Sequence, residues 1–124
     1  MAEDTREGLP NSGEGTIAAG DAANTVHTVL ATRADSVYAP NQIILEYDPS
    51  ATVNTTPAIF DAPSGTAGGN LLNPRKTVVG LQPGEVRVYD DLDIRDFEDD
   101  VLVAADGNQD ASISVYVDGK EITG

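Results

Sequence analysis

The fold class that this sequence predicts is all-β: an antiparallel β-sandwich of seven or eight short strands with jelly-roll or Greek-key connections. Apolar residues alternate over short runs, as in Ile43, Leu45, Tyr47 and again in Ile113, Val115, Val117, which is the period of a half-buried strand. Nowhere do they recur at i, i+3, i+4 and i+7 over about ten residues, so no amphipathic helix is indicated. Clusters of Gly, Pro, Asn and Asp separate the runs at short intervals, the spacing of a sandwich. A chain of 124 residues suits one domain with one core.

Residues 1–24 are rich in carboxylates and glycines and poor in large apolar groups. Such a composition buries too little surface to offset its ordering entropy, so this stretch reads as a flexible N-terminal arm. The sandwich domain is then expected over 25–124. Its first strand is the β-branched TVHTVLAT (25–32). NQIILEY (41–47) alternates, and PAIFD (57–61) is a short strand with proline at its start, where a missing N–H is tolerated. APSGTAGGN (62–70) is a Gly-rich loop, and RKTVVGL (75–81) gives another strand. QPGE (82–85) places Pro and Gly at the centre of a turn.

EVRVY (85–89) also alternates; Val86 and Val88 are expected inward, with Glu85, Arg87 and Tyr89 outward. VLVAA (101–105) is apolar on both faces. DGNQD (106–110) is a turn, ASISVYV (111–117) a further strand, and Asp118-Gly119 a last turn before a short end strand.

Charge narrows the function classes. Asp and Glu total 21 against 7 Lys and Arg, giving −14, and Asp outnumbers Glu fourteen to seven. A phosphate backbone is held by clustered Lys and Arg, so nucleic acid is not an expected partner. At molar salt the Debye length is ~3 Å and self-repulsion nearly vanishes; an acidic surface of this kind is a halophilic device. No run of about 18 apolar residues suggests a membrane span, and the first residues lack the pattern of a signal peptide.

Chemistry-bearing motifs are scarce. There is no cysteine and one histidine, His27, which leaves no thiolate metal site, no thiol nucleophile and no histidine pair. No Ser lies in G-x-S-x-G context, and the Gly-rich loop lacks the G-K-[ST] ending of a phosphate loop. No catalytic residue and no cofactor are therefore expected.

The densest charge is YDDLDIRDFEDD (89–100), seven carboxylates and one arginine in twelve positions. It fails the Ca²⁺-loop pattern: Arg95 breaks the first alternation, and Val101 stands where the second needs glycine. A looser site for a structural Ca²⁺ or Mg²⁺ at Asp96, Asp99 and Asp100 is one reading. A connection pinned to the core by Leu92, Ile94 and Phe97, its carboxylates in water, is the other. Val29, Ile44, Leu102 and Ala104 lie on strand faces beyond those that one two-layer core uses, which makes them candidates for a subunit interface.

The stretch LQPGEVRVYDDLDIRDFEDDVLVAADGNQDASISVYV (81–117) resembles small β-sandwich virion proteins of tailed viruses: a Pro-Gly turn, a strand, an acidic loop, an apolar strand and an alternating Ser/Val strand. The earlier QIILEYDPSATVNTTPAIFDAPSG fits the same pattern, and the acidic, lysine-poor composition is similar to versions from tailed viruses of haloarchaea. The resemblance implies a non-enzymatic structural role on the virion, as capsid decoration, vertex turret or tail component. It also implies homo-oligomers docked on the major capsid protein or other virion proteins. It carries no functional residue across. A carbohydrate- or host-receptor-binding module contacting its ligand through loops 61–74 and 106–110 is the alternative.

Overall fold

The computed structural model describes residues 8–71, 74–90 and 94–123. Eight strands follow one another: β1 (Leu9–Ile17), β2 (His27–Leu30), β3 (Ser36–Tyr47), β4 (Ala58–Ala62), β5 (Lys76–Thr77), β6 (Val86–Asp90), β7 (Asp100–Ala104) and β8 (Ile113–Thr123). They form two four-stranded antiparallel sheets, sheet A in the order β1-β8-β3-β6 and sheet B in the order β2-β7-β4-β5. The pairs β1–β8, β2–β7, β3–β6 and β4–β5 alternate between the sheets, as when one long hairpin is wrapped around a core. The architecture is an eight-stranded jelly roll.

The core lies between the sheets. Ile43, Leu45 and Tyr47 of β3 face Ile113, Val115 and Val117 of β8 within sheet A, and together they meet Ile59, Val101 and Val103 of sheet B; all are at most 1% exposed. The alternation of both long strands thus marks the buried face.

Residues 9–17, assigned by composition to a flexible arm, instead form β1, paired with β8 over nine positions from Leu9↔Glu121 to Ile17↔Ile113. The glycines that suggested mobility have a packing role. Gly13 and Gly15 alternate with the exposed Ser12, Glu14 and Thr16, and point toward β2. A Cβ on Gly13 would lie 2.2 Å from the carbonyl oxygen of Val29 and 3.0 Å from Leu30 Cβ. The two sheets close against each other here, and only glycine lets the backbones approach. Gly13→Ala is expected to cost about 1–3 kcal/mol, the range of overpacking. Gly15→Ala, whose Cβ would first meet a Val29 methyl at 3.3 Å, should cost less. Denaturant unfolding in molar salt ranks the two; the reverse order would refute close approach as the reason for glycine.

Two further expectations change. Asp118-Gly119 is not a turn: β8 runs straight through it to Thr123. Gly119 sits opposite Pro40, where the β3–β8 register shifts between Pro40 and Gln42, and a Cβ on it would lie 2.3 Å from the Ala39 carbonyl oxygen. The glycine answers a bulge in the neighbouring strand.

The alternation of β6 is also opposite to expectation. Ile43 pairs with Tyr89 and Leu45 with Arg87, and paired residues share a face. Tyr89 is therefore buried and Arg87 half-buried, while Val86 and Val88 lie outside, 52% and 45% exposed. The turn before β6 forms as expected: Glu85 N–H donates to Gln82 O at 2.9 Å, and Gly84 has φ +76°, which a type II turn requires at that position.

Candidate interaction surface

Aspartates organise the loops. The Asp100 carboxylate, at the start of β7, accepts from Thr32 N (2.8 Å), Ser64 N (2.9 Å) and Ser64 Oγ (2.5 Å), joining two loops to the sheet. Asp61 accepts from Glu98 N (3.0 Å) and Asp99 N (2.7 Å) and pairs with Arg75 at 2.6 Å. Asp106 accepts from Thr55 Oγ and Thr56 N, and Asp110 from Thr52 N and Oγ. A short carboxylate reaches nearby backbone N–H groups well, so part of the excess of Asp over Glu has a structural role.

These bonds set the carboxyl acidities. Burial works to raise Asp100, but the bonds from Ser64 and Thr32 outweigh it and leave it lowered. Thr52, through its hydroxyl and its N–H, lowers Asp110. For both groups the folded pKa lies below the unfolded value. Their stabilisation is therefore present above the ordinary carboxylate range and fades as pH falls through it. Asp99 is the reverse: burial first, then the charges of Asp61, Asp100 and Glu98, raise it.

The acidic stretch 89–100 lies partly outside the described residues, which exclude Asp91, Leu92 and Asp93. Ile94 and Phe97 are buried, and Phe97 exchanges two 2.8 Å backbone hydrogen bonds with Tyr38. Of the suggested cation ligands, Asp100 is committed to Ser64 and Thr32, whereas Asp96 lines an open pocket with Val37, Arg75, Arg95 and Glu98. Among the described residues no three carboxyl or imidazole groups gather to hold a metal. His27, at the start of β2, contacts the Asp21 carboxylate at 2.7 Å through Nε2; this bond, with one from Ala18 N–H, lowers Asp21.

The four interface candidates separate. Val29 is in the main core. Leu102 and Ala104 lie on the far face of sheet B, but form a second buried cluster with Phe60, packed by Val26, Ala58, Ala62 and Leu71. The chain covers that apolar face with its own flanking segments. Only Ile44 lies on a face left partly open, the outer side of sheet A. There Tyr116, Ile44 and Val88 stand in register across β8, β3 and β6, with Val86 two residues from Val88. Val86 and Val88 were assigned inward from sequence; the signal that places them outside is Tyr89, the larger apolar residue of the opposite set. Lys76 Nζ lies 5.0 Å from the Tyr89 ring centroid, across the gap between β5 and β6.

The pocket beside Arg75 and Arg95 is open, and its described lining is Val37, Arg75, Arg95, Asp96 and Glu98. No helix among the described residues is long and apolar enough to cross a membrane.

By its strand order the chain falls among eight-stranded jelly rolls. No family model matches it, and no curated protein does. Among solved structures it is similar to one from the capsid of Ralstonia phage GP4, with a TM-score of 0.59 and 15% identity, over 100% of this chain and 90% of that one. Two other likenesses are a chain of the cyanophage Pam1 capsid asymmetric unit (TM-score 0.44, 16% identity, 97% of this chain and 91% of that one) and one of the disulfide-linked pili of Bacillus endospore appendages (0.41, 15%, 97% and 96%). The last two scores are too low to define a common fold. The first shows a shared fold.

Proposed function

We propose that this chain is a non-enzymatic structural protein of a virion, assembling as a homo-oligomer on the capsid, as decoration or vertex turret, of a halophilic tailed virus. The observation that carries the proposal is the full-length similarity in fold to a chain from the Ralstonia phage GP4 capsid. The charge of −14 supports a life in brine and argues against packaging nucleic acid by direct contact. The partners are further copies of the chain and the major capsid protein or other virion proteins. The partly open apolar row of Tyr116, Ile44, Val88 and Val86 on sheet A supplies a surface for such contacts.

Antibodies against the folded chain, applied to intact virions in molar salt, are expected to label the particle surface at regular positions. Purified virions in which mass spectrometry finds none of the chain would overturn this function.

A further inference from the structure

The open pocket lies where the segments leading into β5 and β7 meet the start of β3, and its volume is about 560 Å³. That is within the range of small-molecule sites. Its walls are tied. Asp61 holds one of them: it pairs with Arg75 at 2.6 Å and accepts from the N–H of Glu98 at 3.0 Å. Phe97 holds another, through its two backbone bonds with Tyr38, next to Val37. Ile94 and Phe97 are buried, so the short segment that carries Arg95 and Asp96 is pinned at both ends.

Arg95 stands apart from the other basic side chains. Among the described residues His27, Arg33, Arg75 and Arg87 each contact a carboxylate, Lys76 lies over the Tyr89 ring, and Lys120 is engaged as well. Arg95 makes no such contact among them, in a chain with 21 Asp and Glu against 7 Lys and Arg. It is exposed and lines the pocket. Arg75, its side chain 22% exposed, adds a second guanidinium. Asp96 and Glu98 add two carboxylates, and Val37 an apolar patch.

We propose that this pocket binds an acidic sugar, a uronic-acid unit, with the sugar carboxylate on the Arg95 guanidinium. The ligand class follows from the two kinds of polar group. A guanidinium only donates, and forks onto a carboxylate through two N–H groups; an ionised carboxylate only accepts, and suits hydroxyls. A ligand with one carboxylate and several hydroxyls uses both. A nucleic acid or an acidic peptide brings further negative charge against Asp96 and Glu98. A neutral sugar leaves Arg95 unused, and a cation meets two arginines. The described lining lies outside loops 61–74 and 106–110, where the sequence placed the contacts of a carbohydrate-binding module. The site goes beyond the virion role and does not depend on it.

NMR titration of the full chain in molar salt tests it, with D-glucuronate as the probe. Amide shifts at Arg95, Asp96 and Glu98 are expected, saturating in the millimolar range. D-glucose, which lacks the carboxylate, and acetate, which lacks the hydroxyls, should each bind about tenfold more weakly. Arg95→Gln, at an exposed side chain, should leave the melting temperature unchanged and weaken glucuronate binding about tenfold. No shifts with glucuronate, or binding indifferent to Arg95→Gln, would overturn the site. Glucose bound as tightly as glucuronate would take the carboxylate off Arg95 and overturn it too. Acetate bound as tightly as glucuronate, or a tetraglutamate peptide bound more tightly, would make the pocket a contact for acidic side chains of a partner protein and overturn the sugar assignment. Antibody labelling of virions would stand in every case, so failure of the site is distinguishable from failure of the virion role.

Discussion

Phe97→Ala is expected to remove about 3–5 kcal/mol of stability, the loss found when a fully buried aromatic ring is truncated. Phe97 is 0% exposed, although Glu98 and Asp99 beside it lie on the surface. Its backbone pairs both ways with Tyr38 of β3, itself 0% exposed, and the ring belongs to the main buried core. Glu98→Gln, in the same acidic stretch but exposed, should stay within about 0.5 kcal/mol. Urea unfolding in molar salt measures both. A loss at Phe97 as small as that at Glu98 would make the stretch a hydrated surface loop and refute its anchoring role.

Much of this fold was legible from two features, alternation and turn residues. Ile43-Leu45-Tyr47 and Ile113-Val115-Val117 face the core as their spacing says, and Pro83-Gly84 forms the expected turn. What was not legible depends on neighbours distant in the chain. Glycine carries no sign of whether it frees a backbone or makes room for one; in β1 the room is needed by Val29. Alternation shows that β6 has two faces but not which one is inside. Its two valines compete with one tyrosine, and the pairing of Tyr89 with Ile43 decides between them. Leu102 and Ala104 do lie on a second apolar face, but a single strand cannot show that Val26 and Leu71 cover it. Ile44, half-buried, is the one of the four candidates on the partly open outer side of sheet A, and the open edge beside it came from strand order alone.

The aspartates divide along similar lines. From the sequence alone their number reads as a solvent adaptation. Others accept N–H bonds from segments tens of residues away, and those partners emerge only when the hairpin is wrapped. Asp61 makes the sharpest case, and Asp61→Ala is expected to cost about 3 kcal/mol, near the lower end for breaking one side of a buried charge pair. Its side chain is 7% exposed and that of Arg75 is 22%. Alanine would leave a largely buried guanidinium without its carboxylate and would free the N–H groups of Glu98 and Asp99. One change opposes this loss. Asp61 is among the charges that raise Asp99, so removing it should let Asp99 titrate closer to its ordinary value. Asp61→Asn keeps an oxygen for the amides and should cost less than alanine. Hydrogen exchange adds a local readout, with faster exchange at Glu98 and Asp99 in the alanine variant. If molar salt erased the difference between Asp61→Ala and the unaltered chain, the pair would be an ordinary surface contact and the loop would have to be held by Phe97 alone.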